Sequence, residues 1–448
     1  MNHSEKNQKP ILQSSRRDFV KNTSIFAAGM MLPGMEMGAM ANVFNDKTLK
    51  LAVVGCGGRG SGAANQALKA DENVELVAMA DAFEDRLNGS LQSLQKEFEG
   101  SKKVNVQEKH RYVGFDAYKK AIDQADVVIL ATPPGFRPYH FEYAINAGKH
   151  VFMEKPVATD VPGIRKVLEM AKVAKDKKLN VVVGLQRHYQ NNYLAIKQKI
   201  DEGKAAGKIT SGQVYWNSAG VWVRPRKPEQ SEMEYQMRNW YYFNWLCGDH
   251  ILEQHIHNID VANWFIGEYP VSAQGMGGRL VRTGPEHGEI FDHHFVEFKY
   301  PSGAVISSQC RHQPGTWSKV GEAFQGTRGT IDMNDAGAAS IIDLEGNNIF
   351  EYRNRRDPNP YQVEHDKLFA SIRENKVINN AEYGAKSTMT AIMGRMATYS
   401  GQVINWEEAL KSEKVLMPKE VTWDSTPPTV PGKDGLYPIP TPGKTDVM

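Results

Sequence analysis

Cysteine is scarce in this sequence: Cys56, Cys247 and Cys310 are the only three in 448 residues. Thiols so few and so scattered exclude a disulfide framework or a zinc ribbon. An excess of charge of one sign is also missing. Lys and Arg total 54 against 52 Asp and Glu, a net charge of +2, which gives no reason to expect nucleic acid or an anionic membrane as partner. No apolar run approaches the roughly 18 residues that cross a bilayer, and no internal repeat is evident. What the chain does have is bulk: 41% of its residues are hydrophobic, enough for a large core, and its length points to two domains.

Residues 1–41 read as a leader outside the fold. Arg16 and Arg17 stand in "SSRRDFVKN", a modestly apolar stretch follows, and Ala39-Met40-Ala41 closes it with small-x-small residues. That order is the pattern of a twin-arginine export signal cleaved after Ala41. No lipobox cysteine accompanies it, so the expectation is a periplasmic or otherwise exported, unanchored protein. The twin-arginine route carries chains already folded, typically around a cofactor loaded inside the cell.

From Lys50 the texture changes. "LKLAVVGCGGRGSGAANQAL" is an apolar strand, a glycine-rich turn and small residues at helical spacing, with Gly55, Gly57 and Gly60 in GxGxxG register and Gly58 and Arg59 completing the loop. Alone the match is weak. Between a strand and a helix it predicts a dinucleotide-binding turn, where the glycines permit a tight turn, close approach of a pyrophosphate and close helix–strand packing. The next strand, "NVELVAMAD", ends in Asp81, about 20 residues beyond the last glycine, where a carboxylate binds the adenosine ribose. The acid favours NAD, and Arg86 nearby keeps NADP open. Two more apolar strands flank the helix "YHFEYAINAGK", which implies a parallel sheet covered on both faces. Thr132 and Pro133 fall at the C-terminal end of one of them, the edge at which such sheets collect ligands.

The second strand of that pair runs into "HVFMEKPVA". With the glycine motif and "ATPP", this resembles the Gfo/Idh/MocA family, nicotinamide-dependent sugar and polyol oxidoreductases of the glucose–fructose oxidoreductase and inositol dehydrogenase type. The resemblance spans roughly residues 49–410. It implies that Glu154 and Lys155 adjoin the cofactor and that Lys155 stands beside the reacting hydroxyl, where burial would tune it for proton transfer. Pro156 would fix the backbone as the chain leaves the strand.

"VATDVPGIRKVLEMAKVAKDKKL" is expected to be a linking helix, capped by Thr159 or Asp160 with Pro162 in its first turn. A strand and helix, "NVVVGLQRHYQNNYLAIKQKI", follow. Alternating strands come next, predicting a mostly antiparallel sheet with one face open to a partner subunit. In "CGDHILEQHIHNIDVANWFIG", Glu253, His257 and Asp260 fall at i, i+4 and i+7, a polar stripe on an apolar helix. The family's second motif is an acid four residues before a histidine, then Ile-Asp. The resemblance therefore implies His257 as the base, with Glu253 in a position where many members carry aspartate. A metal held by His250, Glu253 and His257 is a competing reading, but hydride chemistry needs none, and no metal is assigned. Trp222, Arg224 and Trp240, in a segment dense in aromatics, are candidate sugar contacts, with Arg187, Tyr189 and Asp260 beside them.

The fold class expected is therefore α/β, with a Rossmann domain over 49–172 and a C-terminal α+β domain over 173–424. A Pro/Gly-rich tail, 425–448, is expected to lie extended over its own domain or a neighbouring subunit. The function expected is an exported oxidoreductase moving hydride between a sugar, glycoside or polyol and a tightly bound NAD, in a homo-oligomer (dimer or tetramer). Two alternatives stand beside it. One is a glycoside hydrolase of the same fold that oxidises, eliminates, hydrates and reduces; such relatives lack the motif lysine, which this sequence keeps. The other is a sugar-binding protein without catalysis.

Overall fold

The computed structural model describes residues 47–448, so the twin-arginine segment and its cleavage site lie outside the described residues. Six strands form the first sheet: β1 (Leu49–Val54), β2 (Val74–Asp81), β3 (Arg111–Val113), β4 (Val127–Leu130), β5 (His150–Met153) and β6 (Val181–Val183). All run parallel, in the order β3-β2-β1-β4-β5-β6. β4 and β6 are buried along their whole length, as strands covered on both faces must be. The helix Val161–Asp176 starts as expected: the Asp160 carboxylate accepts the Gly163 N–H at 2.8 Å, and Pro162 occupies the first turn.

One placement differs from the sequence reading. Val181–Val183, assigned there to the second domain, pairs with β5 as the sixth strand of the first sheet. The parallel sheet thus continues past the 172/173 boundary, and Val161–Asp176 is the crossover from β5 to β6 rather than a linker. An unbroken valine run without alternation suits a strand buried on both faces.

The second sheet has nine strands: β7 (Ile209–Ser218), β8 (Ser272–Gly278), β9 (His293–Lys299), β10 (Val305–His312), β11 (Lys319–Gly326), β12 (Gly329–Asn334), β13 (Ala338–Asp343), β14 (Asn348–Arg353) and β15 (Ile404–Asn405). Their order is β14-β13-β12-β11-β7-β10-β9-β8-β15. Every pairing is antiparallel except β7 with β10. The helices Ile256–Ile266 and Ala381–Ser400 pack on one face. The other face carries Tyr215, Gln309, Phe295 and Met276 in a row across four strands, with Met276 72% exposed. β8 escaped the sequence reading because of its glycines; a Cβ on Gly275 would stand 2.4 Å from the Phe295 carbonyl oxygen.

The polar stripe read on a single helix is also corrected. The segment forms two helices, His250–Glu253 and Ile256–Ile266, broken at Gln254 and His255. Asp249, just before the first, sits at φ +77°. Residues 425–448 cross their own domain: Thr429 Oγ1 donates to Glu289 at 2.7 Å, and the Tyr437 ring meets Phe243 edge-on at 5.0 Å. All three cysteines are free and buried. Among the described residues, no helix is long and apolar enough to cross a membrane.

Candidate active site

The glycine-rich turn follows β1 directly. Gly55 takes φ +94°, and a Cβ there would lie 2.5 Å from the Ala131 carbonyl carbon; one on Gly60 would lie 1.8 Å from the Gly55 oxygen. These two positions demand glycine. Gly57 and Gly58 face open space, which leaves the start of the helix Gly58–Ala70 approachable. No side chain caps that helix, so its first N–H groups are available to an anion. Asp81, at the end of β2, accepts the Cys56 N–H at 2.6 Å and the Phe83 N–H at 2.9 Å. Burial pushes its carboxyl up, and these two donors pull it back only in part.

Gly55, Gly57, Gly58, Arg59, Asp81, Thr132 and Pro133 wall one cleft of about 420 Å³. The buried Arg137 guanidinium sets the Thr132 edge by donating to the Leu130 and Thr132 carbonyls. Trp222, Arg224 and Trp240 wall the same cleft from the second domain. These three expected sugar contacts therefore share one cleft with the glycine turn and Asp81. Phe83, Phe115, Tyr118, Phe136 and His140 complete the wall, and the sequence reading missed them. Burial holds His140 neutral, its imidazolium form lost above about 3.

Deeper along the edge, the Glu-Lys-Pro motif is tied to both domains. Glu154 pairs with Arg59 of the glycine loop at 2.7 Å, and Lys155-Pro156 is cis. Lys155 Nζ donates to the Glu253 carbonyl and lies 3.4 Å from its carboxylate, with the two side chains 14% and 16% exposed. Burial raises the Glu253 carboxyl, and Lys155 offsets part of that. His257 is buried against Trp216, ring to ring at 5.8 Å, and its Nδ1 has no hydrogen-bond partner. Burial first, then the charges of Lys155 and Arg187, hold its imidazolium well below the usual range. Lys155, Glu253 and His257 thus assemble a cation, an acid and a neutral imidazole from two domains.

Three other expected contacts are spent on the core. Arg187 binds Glu322, which also accepts from Tyr193 at 2.9 Å and Asn258 at 2.7 Å. Tyr189 donates to Asn380 at 2.8 Å. Asp260 accepts from Ser387 at 2.7 Å and meets His188 Nε2 at 2.8 Å, with the His188 ring stacked between Trp264 and Tyr383. Each of the three thus holds partners inside the protein, although Arg187 Nε is left without one.

The parallel sheet order, the glycine cradle and the acid at the end of β2 define a nicotinamide-nucleotide oxidoreductase with a Rossmann domain. The chain belongs to the Gfo/Idh/MocA family. The family's "Oxidoreductase family, NAD-binding Rossmann fold" profile matches residues 49–185, and its C-terminal domain profile matches 193–332. Inositol 2-dehydrogenase of Rhizobium meliloti is 26% identical over 296 residues, 66% of this chain and 78% of that protein. The 2,7-anhydro-N-acetylneuraminate hydratase of Escherichia coli is 27% identical over 224 residues, 49% of this chain and 55% of that protein. The crystal structure of aldose-aldose oxidoreductase from Caulobacter crescentus superposes with a TM-score of 0.62 at 18% identity, over 80% of this chain and all of that one, which shows the shared fold.

Proposed function

We propose that this chain moves hydride between a carbinol carbon of a sugar, glycoside or polyol and a nicotinamide dinucleotide held in the cleft. The observation that carries the proposal is the Lys155–Glu253 contact, which brings an amine and an acid together with the neutral His257 just past the C-terminal end of β5, the sheet edge that also carries the glycine turn; none of the three is among the residues that wall the cleft. The glycine cradle would hold the pyrophosphate and Asp81 the ribose, favouring NAD, while Arg86 on the same wall leaves NADP open. When bound, the nicotinamide supplies the hydride-accepting carbon. The chain's residues do the rest. Lys155 Nζ, fixed by Glu253, orients the substrate oxygen, and His257 takes the hydroxyl proton because it is neutral at the pH where it must act.

Two residues of the second domain, Trp423 and Arg238, support tight retention of the nucleotide. Trp423 packs on the cleft walls Phe83 and Phe115, with ring centroids 5.1 and 4.6 Å apart, and Arg238 lies 4.0 Å over Phe83 while pairing with Asp85 at 3.2 Å. A retained cofactor needs a second substrate to restore it, which suits an enzyme exported by way of Arg16 and Arg17. The exposed row on the second sheet supports a homo-oligomer.

The purified chain tests this directly. Acid-released nucleotide, identified by mass, is expected in near-stoichiometric amount, and added glycosides or polyols should change the NADH absorbance band. A chain that holds and binds no NAD(P) would overturn the reading in favour of sugar binding alone. The similarity to a hydratase favours a second reading, an oxidation–elimination–hydration–reduction cycle. Release of aglycone without an added acceptor would select it.

A further inference from the structure

Behind Glu253, Asp249 turns the chain into the helix His250–Glu253 in a conformation that essentially only glycine adopts without cost, φ +77° and ψ 161°. Asp249, His250 and His294 have no exposed side-chain surface. Asp249 Oδ2 is filled by the Tyr399 hydroxyl at 2.5 Å and the Phe291 N–H at 3.0 Å. Oδ1 faces the His250 backbone N at 2.5 Å, His250 Nδ1 at 2.8 Å and His294 Nε2 at 3.3 Å. The last approach is not a hydrogen bond: His294 Nε2 has no partner, and neither has His250 Nε2. His294 Nδ1 lies 2.9 Å from Thr398 Oγ1, which also lies 3.2 and 3.0 Å from the Gly394 and Arg395 carbonyls. With the Thr398 proton on one of those carbonyls, Nδ1 carries the N–H and the Nε2 lone pair is aimed at a carboxylate oxygen inside the core. In that tautomer a cation between them would remove the repulsion.

We propose that Asp249, His250 and His294 bind a divalent transition-metal ion of the zinc type. Their ligand atoms lie within 4.8 Å of one another. A tetrahedral ion with bonds of about 2.0–2.2 Å sets its ligand atoms about 3.3–3.6 Å apart, so the His294–Asp249 spacing of 3.3 Å fits and the His250–Asp249 spacing of 2.8 Å must open slightly. Thr398 fixes the His294 ring and Tyr399 the carboxylate, the outer partners that orient metal ligands. The His250 ring is braced by His312, stacked 4.3 Å away. With every ligand buried the site is closed. Its work is to pin the strained turn, and with it the position of Glu253, rather than to touch substrate.

The test uses the full chain, stripped with dipicolinate, desalted and titrated with Co²⁺. One equivalent should survive desalting, show visible d–d bands and be displaced by Zn²⁺. Thr398→Val, which removes no ligand, should weaken Co²⁺ binding by about 10–100-fold. His294→Gln should abolish it, with far-UV circular dichroism checking that each variant is folded. If the wild-type chain retains neither Co²⁺ nor Zn²⁺, the proposal is wrong and the cluster is a metal-free histidine–carboxylate group. Unchanged Co²⁺ binding in folded Thr398→Val and His294→Gln would also overturn it.

Discussion

Two cation–carboxylate pairs lie near the same broken helix, and they do opposite things. Arg187–Glu322 is 2% and 0% exposed, and Glu322 also takes hydrogen bonds from Tyr193 and Asn258. Lys155–Glu253 is 14% and 16% exposed, and its carboxylate contact is long, 3.4 Å. In the first pair both oxygens of the Glu322 carboxylate are filled, and the pair locks β11 to the segment after β6. The second keeps hydrogen-bonding capacity unspent at the C-terminal edge of the parallel sheet, where a substrate oxygen could complete it. Burial makes a charge structural when the protein supplies every partner, and leaves it available for chemistry when it does not.

The comparison can be broken most severely at Lys155. Lys155→Ala should lower kcat by about 10²–10⁴-fold, the usual worth of a positioned proton-transfer group, while the denaturant midpoint stays near wild type. Normal turnover would remove Lys155 from the chemistry. Arg187→Met should do the reverse. It strands a buried carboxylate and should cost about 3–5 kcal/mol of unfolding free energy, whereas the double change Arg187→Met with Glu322→Leu should recover most of it. Equilibrium denaturation of the three variants decides whether the pair is structural.

A pH series sharpens the contrast. His140 and His365 are held neutral by burial, down to about 3, whereas an unfolded histidine titrates near about 6.5. Below that value the unfolded chain binds protons that the folded chain refuses, so stability falls as pH drops from about 6.5 toward 3 and is flat above it. Denaturant midpoints at mildly alkaline and mildly acidic pH would show the slope; a flat profile would contradict the neutral assignment. The smallest effect belongs to Trp423, just before the tail. Trp423→Ala should weaken nucleotide retention by about 0.5–1.5 kcal/mol, the worth of an aromatic contact, read as a faster loss of NAD on dialysis.

The nucleotide half of the site was legible in the sequence because local backbone demands wrote it there. Gly55 and Gly60 are glycines since a Cβ would collide with backbone, and Asp81 closes its strand at the expected spacing. The partners of Arg187, Tyr189 and Asp260 were not legible, for the opposite reason. Glu322, Asn380 and Ser387 are far away in the chain, and no local pattern says that a polar side chain is already satisfied. The break at Gln254–His255 was hidden because apolar periodicity continues across it. Trp423 was illegible because it borders a segment whose composition predicts no packed element.

That tryptophan sets a timetable for synthesis. The glycine turn is synthesised long before Trp423, so Phe83 and Phe115 gain their ring contacts only when that later segment appears. Domains generally fold as they are made, N-terminal first, but these two cleft walls are not backed until the chain has been made as far as Trp423. A product cut short of that residue should fold its parallel sheet and still lack the ring that packs behind its cleft.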